Sequence, residues 1–178
     1  MSKIPHGYTE VVRVYGNPSD PQFYDTQTVY MKLPYPMRYS ENTTQIIKFI
    51  RVHKLCTEEL TAIFTDIWNY VRIKVKQEVG FDKTTSTYDR LTLAAIKKLG
   101  LDLFGGTYYY RNVRGKKRLS LHAFGVAIDL DPTSNPLGSK KGTMPFWVVS
   151  IFKKYGWKWG GDFKGRKDPM HFQRATGC

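Results

Sequence analysis

Cysteine and long apolar runs are scarce in this chain. Only Cys56 and Cys178 occur among its 178 residues, so a framework of several disulfides is excluded and a hydrophobic core must stabilise the fold. No stretch approaches the ~20 consecutive apolar residues of a membrane span, and the N-terminus lacks the apolar run of a secretory signal. We therefore expect a protein made in the cytoplasm without a signal peptide, which would need another component to release it.

Acidic residues are also few. The chain has 15 Asp and Glu but 28 Lys and Arg, which gives a net charge of +13. Such a charge attracts polyanions, including nucleic acid, anionic membrane and acidic cell-wall polymers, without choosing among them. A solvated basic surface is an equally good interpretation. No nucleic-acid-binding motif and no stripe of Lys and Arg on a helix face is present, so we expect no nucleic-acid partner. We also expect a monomer.

The length, with 41% hydrophobic residues, fits one domain with a real core. Residues 1–50 are rich in Pro, Tyr, Asn and Asp, a composition that favours turns and extended segments over helix. Their aromatic side chains would bury large areas. We therefore predict a wrapping arm over 1–50, packed on a domain that spans 51–178.

Apolar residues from Leu60 to Val79 recur at three- and four-residue steps, a pattern typical of one face of an amphipathic helix. Thr57 is the predicted N-cap of this helix, and Gly80 ends it. A second helix is predicted from Asp89, as N-cap, to Lys98.

Later in the chain we predict strands over 107–113 and 126–130 and a third helix over 146–155. Helices would then come first and strands later. This order indicates an α+β fold.

With only four histidines, an imidazole metal site has few ways to form. In SLHAFGVAIDLD, a turn at Gly125 followed by a strand could bring His122 and Asp129 together on one side. For this pair alone, a core histidine beside an unrelated aspartate is the more common explanation.

The segment WGGDFKGRKDPMHFQ strengthens the metal interpretation, because Asp168 lies three residues before His171. Catalytic zinc takes three protein ligands and leaves a position for a water, whose pKa it lowers to about 7. A carboxylate that does not bind the metal must then move the proton. Asp168 could accept it from the water and pass it to the departing amine.

The two motifs, SxHxxGxAxD and an acid three residues before a histidine, resemble those of zinc D-alanyl-D-alanine carboxypeptidases and L-alanyl-D-glutamate endopeptidases. The flanking segments YRNVRG and DPTSNPLG also resemble the phage and bacterial members of that family. The resemblance implies a small antiparallel sheet with packed helices and a Zn²⁺ site at the sheet. It implies zinc ligands at His122, Asp129 and His171, and Asp168 as the catalytic acid and base.

The family also uses an arginine before the first motif to hold the scissile carbonyl and its oxyanion. Arg111 and Arg114 both fall in that region, and we favour Arg111. Either arginine could instead position its loop or pair with a surface acid. The same alternatives apply to the nearby basic residues, which could line a cleft or be solvated surface: Lys116, Lys117, Arg118, Lys140 and Lys141.

The resemblance implies hydrolysis of the peptidoglycan stem peptide, and we favour an endolysin-type L-alanyl-D-glutamate endopeptidase that acts on the wall of a phage host after release. A D-Ala-D-Ala carboxypeptidase of the same family is the alternative. A non-catalytic zinc-containing binding module of this fold is a further one. Asp168 argues against the module, because structural zinc needs no acid at that position.

Overall fold

The computed structural model of the chain describes residues 3–140 and 142–178. Five α-helices and a six-stranded sheet occur in this part of the chain. In order they are α1 Tyr8–Tyr15, α2 Phe23–Gln27, β1 Thr28–Tyr39, β2 Ile46–His53, α3 Thr57–Val79, α4 Thr85–Lys98, β3 Leu103–Gly106, β4 Ala127–Leu130, α5 Phe146–Lys154, β5 Lys158–Trp159 and β6 His171–Gln173. Short 3₁₀ helices occupy Lys54–Cys56, Leu121–Phe124 and Gly160–Asp162.

The strands form one sheet in the order β2-β1-β3-β4-β6-β5. The α+β, single-domain prediction is therefore confirmed. The sheet is mixed rather than purely antiparallel, because β1 and β3 run parallel while the other neighbours are antiparallel. A parallel pair needs a long crossover, and here β2, α3 and α4 supply it.

The long helices and the core lie together on the sheet. α3 packs on β1, and α4 and α5 pack on α3. On β6, Phe172 is fully buried and stacks on Phe152 of α5 with ring centroids 3.9 Å apart. Because side chains alternate along a strand, the neighbours of Phe172 point to the other face, where the candidate site lies. Among the described residues, no helix is long and apolar enough to cross a membrane.

The N-terminal segment contains more regular structure than its composition predicts. Residues 8–15 are helical, and the longest strand, β1, takes up residues 28–39. The expectation of turns and extended segments over helix is therefore wrong for α1, whose Val11 and Tyr15 are buried in the core. Residue 50 falls inside β2, so the sheet continues across it; the division into an arm and a peptidase domain stays a prediction.

The predicted long helix is confirmed as α3, although Thr57 is its first helical residue and Cys56 precedes it as the cap. The second helix begins earlier than Asp89. Thr84 caps it, because its side chain accepts a hydrogen bond from the Thr87 amide, and this satisfies an amide that the helix leaves open.

Residues 107–113 form no strand; β3 ends at Gly106. The third helix ends at Lys154, one residue before the predicted end.

Candidate metal centre

Two of the predicted ligands meet through strand register. Asp129 of β4 lies directly opposite His171 of β6 in the antiparallel pair. Directly opposite residues have Cβ atoms about 5 Å apart on the same face, so their side chains can share one ion. Ile128 and Phe172, on the opposite face, are fully buried and fix this register.

The third ligand comes from the short helix Leu121–Phe124, which ends at Gly125. Gly125 has φ +68°, and a Cβ there would lie 2.7 Å from the His53 backbone nitrogen. The close approach allows the His53 amide to donate to the Gly125 carbonyl at 2.9 Å. The glycine therefore turns the chain from His122 into β4, as the sequence predicts.

The three side chains converge. His122 Nε2 lies 3.2 Å from His171 Nδ1 and 3.3 Å from Asp129 Oδ2, and His171 Nδ1 lies 2.8 Å from Asp129 Oδ1. The residues each offer one ligand atom, and these atoms lie within 4.8 Å of one another. Two imidazole nitrogens and a carboxylate oxygen are a donor set that suits zinc and leaves a coordination position open.

The remaining nitrogens of the two imidazoles have partners that orient the rings. His122 Nδ1–H donates to the Thr107 carbonyl at 2.7 Å, and His171 Nε2–H donates to Gln173 Oε1 at 3.1 Å. The Gln173 amide is itself held, because its Nε2 donates to the Ala175 carbonyl at 2.9 Å. Such outer hydrogen bonds fix which nitrogen of each ring faces the ion.

The electrostatics of the cluster keep its carboxylate ionised. Burial raises the pKa of Asp129, but the charge of His122 and hydrogen bonds from both histidines lower it further, and the net pKa lies below its usual value. Burial lowers the pKa of His171, whereas its hydrogen bond and charge attraction to Asp129 raise it overall. The carboxylate therefore attracts a cation to this point, whether a proton or a metal ion.

Asp168 lies beside the cluster in a different setting. Its Oδ1 is buried and has no hydrogen-bond partner among the described residues. Burial is the main cause that raises the pKa of this carboxyl, and the charge of His171 opposes it. The backbone around Asp168 is closely packed. The Asp168 amide donates to the Gly160 carbonyl at 3.0 Å, and a Cβ at Gly160 would lie 2.4 Å from the backbone carbonyl oxygen of Asp168.

One cleft of about 1200 Å³ is lined by His122, Asp129, Asp168 and His171. Both candidate arginines also line it. Glu41 adds an acid to its wall. The cations that line it are Arg111, Arg114, Lys116, Arg118, Lys164 and Arg166. Of the basic loop residues singled out in the sequence, Lys116 and Arg118 therefore line the cleft, and Lys141 lies outside the described residues.

Sequence reasoning missed Gln173 and Thr107. The period of two along β6 could have found Gln173, which lies two residues after His171 and so shares its face. Thr107 offers only a backbone carbonyl, and no sequence signal marks it. Of the two tryptophans near the site, Trp157 is fully buried, and Trp159 Nε1 donates to the Pro169 carbonyl at 2.7 Å, beside the Asp168 loop.

Comparison with known families covers this same part of the chain. Residues 114–174 match the family model described as D-alanyl-D-alanine carboxypeptidase. The matched residues include the three converging ligands and Asp168, whereas Arg111 lies just before them. No curated protein and no solved structure matches the chain.

Proposed function

We propose that the chain is a zinc-dependent peptidase of the peptidoglycan stem peptide, because residues 114–174 match the D-alanyl-D-alanine carboxypeptidase family. The observation that carries the proposal is the pairing of three side chains that could hold a metal ion with a buried carboxylate oxygen that has no hydrogen-bond partner among the described residues. A binding module would need the first feature only.

The ligands we propose are His122 Nε2, Asp129 and His171 Nδ1. Their fit to zinc rests on the donor types and on the hydrogen bonds that direct both imidazoles. When bound there, zinc would polarise the scissile carbonyl and lower the pKa of a water to about 7.

Asp168 is the proposed proton carrier. It accepts a proton from the attacking water and delivers it to the amine that leaves, so one carboxyl acts first as base and then as acid. Burial raises the pKa of this group, which makes the carboxylate a better proton acceptor and brings it nearer to the neutral range in which one group can both take up and deliver a proton. The buried Oδ1 leaves an acceptor for the proton.

Arg111 is the proposed group that holds the carbonyl oxygen as negative charge develops, with Arg114 as the second choice. Both line the cleft. The Arg111 carbonyl accepts the Ser120 amide at 2.9 Å, which fixes its backbone beside the start of the His122 helix. A fixed cation at a developing oxyanion contributes about 3 kcal/mol to lowering the barrier.

The finer proposal is an endolysin-type L-alanyl-D-glutamate endopeptidase of a phage, a monomer that acts on the host wall after release. It is supported by the likeness of the motif flanks to phage and bacterial members of the family and by the cations of the cleft, which suit an acidic peptide. A carboxypeptidase that removes a terminal D-alanine is the second candidate, favoured by the description of the matching family.

The decisive test replaces Asp168 without changing its size. We expect Asp168→Asn to keep zinc and to lose at least about 10²-fold in hydrolysis of purified cell wall, because general acid–base catalysis contributes that much. His122→Ala should lose both zinc and turnover. Asp162→Asn is the matched control, since Asp162 has a side chain 54% exposed and pairs with Lys153.

Wall digestion by Asp168→Asn at the rate of the unmodified protein, or digestion that persists in excess chelator, would contradict the mechanism. Mass analysis of the released fragments distinguishes the two candidate bonds, because an L-alanyl-D-glutamate endopeptidase leaves L-alanine on the glycan and releases a peptide that begins with D-glutamate, whereas a carboxypeptidase frees only D-alanine.

A further inference from the structure

Three tyrosine rings and one guanidinium form a continuous surface, which we call the tyrosine surface: Tyr24, Tyr30, Arg51 and Tyr108. The Tyr24 and Tyr108 rings meet edge to face, with centroids 5.6 Å apart. Arg51 Cζ lies 3.3 Å from the centre of the Tyr24 ring and 4.9 Å from that of Tyr30. The four side chains therefore act as one unit.

Hydrogen bonds hold Arg51 in place. Its Nε donates to Thr28 Oγ1 at 2.7 Å and its Nη2 donates to the Tyr24 carbonyl at 2.7 Å. Its own carbonyl accepts Thr107 Oγ1 at 2.7 Å. A guanidinium fixed in this way orders the rings that it touches, so the surface is organised before any partner arrives.

The rings are accessible. Tyr24 is 41% exposed and Tyr30 is 64% exposed, and the adjoining Tyr109 and Tyr110 are 66% and 53% exposed. A cluster of exposed aromatic residues marks an interaction site. Tyrosine is suited to partners that are partly apolar and partly polar, because it combines a flat apolar ring with a hydroxyl.

The tyrosine surface and the cleft are joined by residues 107–111. The Thr107 carbonyl orients His122, the Tyr109 amide donates to the His122 carbonyl at 3.1 Å, and Arg111 lines the cleft. Arg111 lies three residues after Tyr108, a span of at most about 11 Å. A partner lying on the tyrosine surface therefore reaches the cleft with little intervening distance.

We propose that the tyrosine surface binds the polysaccharide strand of peptidoglycan while a stem peptide from that strand enters the cleft, an inference that rests on the proposed function. Sugar rings have apolar C–H faces that pack on aromatic rings. They also carry hydroxyls that can hydrogen-bond to the phenol groups. The substrate presents both of its parts, sugar and peptide, within a short distance of one another.

Charge distinguishes this partner from nucleic acid. Binding of a phosphate backbone depends on several free Lys and Arg side chains. Within the tyrosine surface the cation is Arg51, whose Nε and Nη2 already donate to protein oxygens. A neutral polymer fits this arrangement better than a polyanion does.

The test is titration of the full chain with a soluble chitooligosaccharide, a neutral β-1,4-linked N-acetylglucosamine polymer, because wall strands freed of peptide by an amidase would carry a carboxylate on each lactyl group. We expect saturable binding by the unmodified protein and about tenfold weaker binding by Tyr30→Ala, as for a central aromatic contact at an interface. Phe81→Ala is the control, because Phe81 is 74% exposed and lies outside the tyrosine surface, after α3. It should bind as the unmodified protein does.

Hydrolysis gives a second readout. Tyr30→Ala should digest intact wall more slowly and cleave a sugar-free stem peptide at an unchanged rate. No glycan binding by the unmodified protein, an equal loss in Phe81→Ala, or binding of a single-stranded oligonucleotide in place of glycan would overturn the inference. Cleavage of the free stem peptide tests the proposed function by itself, so failure of one is distinguishable from failure of the other.

Discussion

Acidification should weaken the fold through one histidine at the end of β2. His53 is fully buried, its Nε2–H donates to the Tyr15 carbonyl at 2.9 Å, and its Nδ1 accepts the Leu55 amide at 3.2 Å. A second ring proton would destroy that acceptor and place a charge among aromatic rings. Burial is the main cause that lowers the pKa of His53 from 6.5 to about 4, with the Tyr15 hydrogen bond opposing it.

The sign and size of the effect follow from this shift. Because the pKa in the folded state lies below that of the unfolded chain, the stabilising contribution is complete above pH 6.5 and is lost as the pH falls towards 4. Each pKa unit corresponds to about 1.4 kcal/mol, so the shift corresponds to about 3 kcal/mol. Most of that contribution, about 2.5 kcal/mol, should be lost by pH 4.5.

Urea unfolding at pH 7.5 and 4.5 measures this loss. The comparison variant is His53→Gln, whose amide can still donate to the Tyr15 carbonyl but does not titrate. The other ionisable groups are the same in both proteins, so the difference between them isolates His53. The unmodified protein should lose about 2.5 kcal/mol more of its free energy of unfolding than the variant. Equal losses in the two proteins would refute the reasoning.

Three further substitutions test the site. Gln173→Leu should weaken zinc binding about 10- to 100-fold in a competition titration, because it removes the hydrogen bond that orients an imidazole; unchanged affinity would contradict this. Gly125→Ala should lower the free energy of unfolding by at least about 2 kcal/mol, since φ is +68° and the new Cβ would lie 2.7 Å from a backbone nitrogen; an unchanged urea midpoint would count against it. Arg111→Lys should lower kcat about 10²-fold with little change in KM. If only Arg114→Lys showed such a loss, Arg114 rather than Arg111 would be the residue that holds the carbonyl oxygen.

The parts of the site that the sequence predicts are local ones. His122, Gly125 and Asp129 lie within one turn and one short strand, so residue spacing and the conformational freedom of glycine are enough to place them together. The helical period from Leu60 to Val79 likewise needs no distant contact. Pairing of Asp129 with His171 is different, since it depends on which residues of β4 and β6 face each other, and that register is set by packing of the whole sheet.

The N-terminal strand was concealed by its prolines. β1 alternates buried Leu33, Tyr35 and Met37 with exposed Pro34 and Pro36, a pattern of period two that its proline content obscures. Proline cannot donate to a sheet, which normally argues against a strand. Here the pairing with β2 shifts register between residues 32 and 37, and the pairing with β3 begins only at residue 38. Neither proline therefore lies at a position where the sheet needs a backbone N–H donor.

The facing positions of Asp129 and His171 also separate what can vary in this protein from what cannot. Backbone pairing holds the two side chains at a fixed distance, so the exposed loops between β4 and α5 can change in length or sequence without separating them. A deletion of one residue inside either strand would instead turn one ligand to the opposite face. Substrate preference can therefore diversify in the loops between residues 130 and 168, while the metal site tolerates no gradual change.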